Sequence, residues 1–247
     1  MPKATHFDRF KKQALDTMKS FNERVDFPEE IRAGKAGPII QDISDKLGLE
    51  KTAGLSILEI GCGCTDLVTD FVQFCRARAH KLTLLDSQEM LSAIRGVEPG
   101  DDLVFYPGRF PDCFDDLSDK FGPFDRIVVY SVLQYALVDG FVWAFVEKAA
   151  RLLPDGGRLL IGDLPNASMR RRFLASPAGV QHHKTHYGPN SEPELRFNRL
   201  DENEIDDGLV IGLLVRMRMA GFHAFVMPQP AELPMSNRRE DLVVVKP

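Results

Sequence analysis

The sequence predicts an α/β domain built on a mostly parallel, doubly wound sheet of seven strands, and three observations predict it. Short apolar runs alternate with amphipathic stretches between residues 55 and 163, which is the pattern of successive βαβ units. The run Ile57-Leu58-Glu59-Ile60 passes straight into Gly61-Cys62-Gly63 and a helix-like segment, a strand, glycine turn and helix in sequence. Two further strand-like runs close the chain at 222–227 and 241–245. The connection between them carries Pro228, Pro230 and Pro234 and is too short for a helical crossover, so the last pair is expected to run antiparallel.

The elements follow in order. Phe7, Phe10, Ala14, Met18 and Phe21 recur at helical spacing, as do Ile39, Ile40, Ile43, Leu47 and Leu49. These two stretches form an expected helical cap over residues 1–54. The first helix reads either as edge packing, as a lid or as a dimer contact. The remaining chain, 55–247, forms the main domain. Strands are expected at 56–60, 81–86, 103–106, 124–130 and 158–162. Helices are expected at 66–76, 88–94 and 140–153, a turn or helix at 111–121, and a late helix at 205–220. Residues 164–202 are rich in Arg, His, Asn, Pro and Ser with poor periodicity. A segment that long inside a compact domain reads as an irregular inserted lid after the fifth strand.

Bulk properties set limits. The 247 residues are 44% hydrophobic, enough for a core, and carry a net charge of −5. That balance argues against a broad nucleic-acid surface. No apolar run is long enough for a membrane span, and the first residues lack a signal core. The four cysteines, Cys62, Cys64, Cys75 and Cys113, form no disulfide framework, so a cytoplasmic setting is expected. Cys62 and Cys64 have no second pair to complete a zinc site; they read as small residues in the turn, and no metal is expected. Arg170-Arg171-Arg172 reads either as a solvated face or as an anion site.

The chemistry gathers at the carboxyl ends of the strands, where open α/β sheets bind ligands. Glycines at 61 and 63 let a ligand approach the main chain. Asp86 ends the next strand, where a carboxylate can accept both hydroxyl hydrogens of a ribose. An adenosine-containing cofactor is the expectation. A dinucleotide fingerprint would need a third glycine at position 66, which is Asp66; hydride transfer is therefore the weaker alternative.

These residues resemble the class I S-adenosylmethionine-dependent methyltransferases. Glu59-Ile60-Gly61-Cys62-Gly63 is similar to the first motif of that family, and Leu84-Leu85-Asp86-Ser87 to its acidic motif. The run from Phe124 to Leu133 and the turn Leu152-Leu153-Pro154-Asp155-Gly156-Gly157 also resemble family segments. Thr65 stands where the family often has a third glycine, and Arg109 where it often has Asp. The resemblance implies S-adenosylmethionine as cofactor. Gly61, Cys62 and Gly63 would lie along its methionine part, with Glu59 near its amino group and Asp86 on its ribose. Ser87 and Gln88 would flank the adenosine, Gly108, Arg109 and Phe110 would border the adenine, and Tyr130 and Ser131 would floor the sulfonium.

The acceptor is less legible. The segment Tyr130–Tyr135 is not the Asp/Asn-Pro-Pro-aromatic motif of amino-methylating nucleic-acid enzymes, so a small molecule is expected. A hydroxyl acceptor usually needs a base. His182, His183 and His186 in the lid are candidates for that base, against a reading as incidental surface residues, and Asp163 is a candidate to orient it or bind the acceptor, against a turn role. Gly162-Asp163-Leu164-Pro165-Asn166, Pro228-Gln229-Pro230 and Arg239-Glu240-Asp241-Leu242 are similar to methyltransferases of bacterial surface-polysaccharide pathways, which implies a sugar or nucleotide-sugar hydroxyl. A non-catalytic cofactor-binding subunit is the alternative from another class.

Overall fold

Alternation of apolar strands with one-faced helices gives a seven-stranded sheet in the order β3-β2-β1-β4-β5-β7-β6. The computed structural model describes residues 5–197 and 202–247. Residues 1–4, read above for a leader, and 198–201, read as part of the lid, lie outside the described residues. The parallel strands are β1 (Ser56–Ile60), β2 (Lys81–Asp86), β3 (Leu103–Pro107), β4 (Arg126–Tyr130) and β5 (Arg158–Pro165). β6 (His223–Pro228) and β7 (Arg239–Val245) pair antiparallel, and β7 pairs antiparallel with β5. The expected sheet and its closing hairpin are thus present.

Helices cover both faces. α4 (Ala36–Leu47), α5 (Asp66–Arg76) and α6 (Gln88–Ala93) pack one apolar layer around Ile43, Phe71 and Met90. α7 (Phe114–Phe121), α8 (Leu133–Val138), α9 (Val142–Arg151) and α12 (Asp207–Met219) pack the other around Leu117, Phe145 and Leu213. The strand order reverses at β1, which lies between β2 and β4; a crevice opens there beyond the carboxyl ends.

Three expectations need correction. The single N-terminal helix over 7–21 is broken: α1 (His6–Ala14) stops, and α2 (Phe21–Arg24) and α3 (Glu29–Arg32) follow as single turns. Asp16 accepts from the Met18 N–H at 3.0 Å, and Ser20 starts a new helix through a capping box with Glu23. Met18 is consequently 92% exposed. Residues 164–202 are not irregular throughout, for they contain α10 (Ala167–Ala175) and α11 (Pro177–Tyr187). Asn166 caps α10 by accepting from Ser168 and Met169, and Ser176 caps α11 ahead of Pro177. Finally, β5 does not end at Gly162. It shifts register between Ile161 and Leu164 and continues to Pro165 against Arg239.

That irregularity turns Asp163 out of the ladder at φ +61°. Its N–H donates to Asp241 Oδ1 at 2.8 Å, which also accepts from Gln229 Nε2 at 2.9 Å. Asp241 Oδ2 meets Lys46 Nζ at 2.6 Å, and Lys46 reaches Asp42 at 2.7 Å. All three charged side chains are buried. The network ties α4 to the hairpin directly below the crevice.

Candidate cofactor and acceptor site

A cleft with about 940 Å³ of empty space, open solvent at its mouth included, lies at the β1/β4 reversal. β1, β2 and β4 supply its floor through Glu59, Gly61, Asp86 and Tyr130; α1 and the segment from α2 to α3 supply its roof through His6, Phe10, Val25, Phe27 and Arg32. The wall is built by Tyr135, Asp139, Phe141 and Phe145 around α8 and α9.

The glycine turn follows from its dihedrals. Gly61 has φ +75° and Gly63 φ +68°, a region that costs side chains steric strain. A Cβ on Gly61 would sit 2.6 Å from Val132 Cγ2. Gly61→Ala is expected to lower the unfolding temperature and abolish ligand binding. Adding Val132→Ala should recover part of the temperature but leave the positive-φ strain. Full recovery of both in the double variant, measured by melting and calorimetry, would refute this account.

Two carboxyls face one another's field across the turn. Glu59 is 5% exposed, and its Oε2 has no hydrogen-bond partner among the described residues. Burial, with the Asp86 charge adding, pushes its carboxyl up to about 8. Asp86 accepts from the Gly63 N–H on Oδ2 at 2.9 Å and from the Ser87 N–H on Oδ1 at 2.7 Å. Burial raises it to about 6, against the lowering effect of those two bonds. Each oxygen keeps a lone pair for a further donor. An orphaned buried carboxyl beside a second one fits a ligand carrying a cation and neighbouring hydroxyls. Cys62 lines the cleft, and burial drives its thiol well above the ordinary value; Cys64 is buried and pushed up to about 11.

The remaining expected cofactor residues divide. Arg109, Phe110, Tyr130 and Ser131 line the cleft; Ser87, Gln88 and Gly108 do not. Ser87 caps α6 by accepting from the Met90 N–H at 3.2 Å, which leaves Met90 to face the cleft. Gln88 is exposed and bonds Ser92. Gly108 N–H donates to the Asp86 carbonyl at 2.9 Å. Phe110 packs edge-on to Phe145 at 4.9 Å, and Arg109 lies over Phe141 at 5.0 Å.

Asp163 lies behind the cleft wall rather than in its lining. Arg32 (2.9 Å), Arg239 (2.7 Å) and the Ser131 hydroxyl all reach its Oδ2. Arg32 also donates to Ser131 Oγ at 2.6 Å and lies 3.8 Å from the Phe27 ring centre. Asp163 therefore fastens the roof to the ends of β4, β5 and β7. Ser131, at φ +59°, is a second residue held in a sparsely populated region beside it.

The three lid histidines lie on α11 and none lines the cleft. His182 packs against Phe173 and His186, His183 bonds Ser191 Oγ at 2.8 Å, and His186 bonds the His182 carbonyl at 2.8 Å. The histidine that does line the cleft is His6. Sequence reasoning missed it, along with Arg32 and Asp139, whereas Tyr135 closes the 130–135 stretch that follows the fourth strand. His6 partners Asp139 across 133 residues, a separation that leaves no local signal. Among the described residues no cluster of His, Cys, Asp and Glu suits a metal ion, and no helix is long and apolar enough to cross a membrane.

Comparison with known proteins places this architecture. No family model matches the chain. A stretch of 153 residues, 60% of the chain, is 33% identical to chondramide synthase cmdD of Chondromyces crocatus, and spans 4% of that protein's length. Among solved structures, an O-methyltransferase family protein from Burkholderia thailandensis matches 98% of this chain over 63% of its own, with TM-score 0.58 at 18% identity. The plantazolicin methyltransferase BpumL, solved with SAH, matches 97% over 95% of its own chain, with TM-score 0.58 at 11% identity. Human N-acetylserotonin methyltransferase, solved with SAM, matches 97% over 67%, with TM-score 0.52 at 15% identity. The chain has the α/β fold of the S-adenosylmethionine-dependent methyltransferases.

Proposed function

We propose that this protein transfers a methyl group from S-adenosylmethionine to a hydroxyl of a small molecule, a sugar or nucleotide sugar. The observation that carries the reading is the pair Glu59 and Asp86 beside Gly61, with one buried Glu59 oxygen left for a cation. The methyltransferases that share the fold support it. When bound, the cofactor supplies an electrophilic methyl group on a sulfonium. Glu59 would take its ammonium, Asp86 its ribose hydroxyls, and the Gly61–Gly63 main chain its methionine part. Arg109 and Phe110 would border the adenine, and Tyr130 and Ser131 would line the floor near the reacting centre. The roof excludes water and positions the acceptor. Rings of Phe10, Tyr135 and Phe141 in the lining suit an acceptor with a flat apolar face. They favour phenols as a second reading.

A screen of sugars, nucleotide sugars, phenols and short peptides, read by product mass and release of S-adenosylhomocysteine, tests the function. Binding without turnover of any acceptor would favour a non-catalytic cofactor-binding role instead.

Proton linkage gives a second check. Glu59 holds its proton more tightly folded than unfolded, because its carboxyl is raised to about 8 from an ordinary 4.5. Its contribution to stability is therefore full below about 4.5 and is lost as pH rises through about 8. A bound ammonium favours the ionised form, so cofactor binding at pH 7 should release a proton from Glu59. Calorimetry in two buffers of different ionisation enthalpy should show this release in the wild type and its loss in Glu59→Gln. Equal enthalpies in both buffers for the wild type would contradict the assignment.

A further inference from the structure

We propose that His6, oriented by Asp139, is the general base that takes the acceptor's hydroxyl proton. The inference rests on the methyl-transfer reading and deepens it to a hydroxyl acceptor.

The geometry begins with Asp139, at the end of α8. Its side chain is 8% exposed, and it accepts from the His6 N–H at 3.2 Å on both oxygens and meets His6 Nδ1 at 2.8 Å. A carboxylate at Nδ1 fixes the hydrogen of a neutral imidazole on that nitrogen. The lone pair then lies on Nε2, which has no partner among the described residues. The ring lines the cleft and stands 5.4 Å from the Tyr135 ring, which Phe10 meets edge-on at 4.8 Å. Arg109 also faces the pair, 3.7 Å from Asp139. A base held by a third group in a partly apolar pocket has the orienting logic of a catalytic triad.

The step balances without a further reactant. Nε2 takes the hydroxyl proton while the acceptor oxygen forms the new C–O bond. The C–S bond breaks, and its electron pair stays on sulfur as a neutral thioether.

Two measurements test this. Nitrogen NMR of ring-labelled histidine, with S-adenosylhomocysteine bound at a pH where His6 is neutral, should show the hydrogen of His6 on Nδ1 and not on Nε2. Asp139→Ala should shift it toward Nε2. A hydrogen on Nε2 in the wild type, or no change in Asp139→Ala, overturns the proposal, and this readout needs no acceptor. His6→Ala should cut methylation of an un-ionised phenol such as 4-methoxyphenol by roughly 100-fold or more. It should spare 4-nitrophenol at a pH where that phenol is already ionised, and added imidazole should restore part of the lost rate. Equal loss for both phenols would mark His6 as a fastening of the roof and overturn the proposal. Failure of the wild type to bind S-adenosylhomocysteine would instead sink the methyl-transfer reading itself.

Discussion

Asp86→Ala is expected to weaken binding of S-adenosylhomocysteine on the order of 100-fold in calorimetry. A hydrogen bond to a charged group contributes roughly 1.5–3 kcal/mol, which is about a 10- to 150-fold change in affinity. Two effects act together in this variant. The ribose hydroxyls lose their acceptor, and the Gly63 and Ser87 N–H groups lose the oxygens that shape the turn. Asp86→Asn separates them, since its carbonyl oxygen can hold one N–H while the charge is gone. It should fall between the wild type and Asp86→Ala. Unchanged affinity in Asp86→Ala would remove the ribose assignment and with it the main support for the cofactor.

Lys46→Met should lower the unfolding temperature by roughly 6–20 °C. Removing one partner of a buried ion network costs about 3–5 kcal/mol, because the remaining charges lose their compensation. A domain of this size shifts by about 2–4 °C per kcal/mol. The charges left behind are Asp42 and Asp241, the latter 0% exposed. Adding Asp42→Asn and Asp241→Asn to Lys46→Met should return much of the lost temperature, since an amide oxygen at position 241 can still accept from the Asp163 N–H. A scan showing no loss for Lys46→Met, or no recovery in the triple variant, would show that the network carries little of the stability.

What the sequence revealed and what it hid follow from the range of the interactions. Glu59, Gly61 and Gly63 lie within one strand and turn, and Asp86 ends the next strand, so local pattern sufficed to find them. The hairpin was legible because the connection carrying Pro228, Pro230 and Pro234 is too short for a helical crossover. α10 and α11 were missed because their apolar residues do not gather on one face, with only Ala167 and Gly179 buried. Their caps, Asn166 and Ser176 with Pro177, were present in the sequence and were the usable signal. The break after α1 was likewise marked by Ser20 and Glu23. His6 with Asp139, and Arg32 with Asp163, are joined only by the folded chain, across 133 and 131 residues. No periodicity reports such pairs.

The antiparallel course of β7 bears on how this protein can be handled. Arg239 pairs with Pro165 at the cleft end of β5, whereas Val245 pairs with Arg158 at the opposite end. A fluorescent label on a cysteine placed at Pro247 therefore sits near the rim of the sheet opposite the cleft and is expected to leave ligand binding unchanged. The same label at Thr5 adjoins His6 of the cleft lining and is expected to slow cofactor exchange.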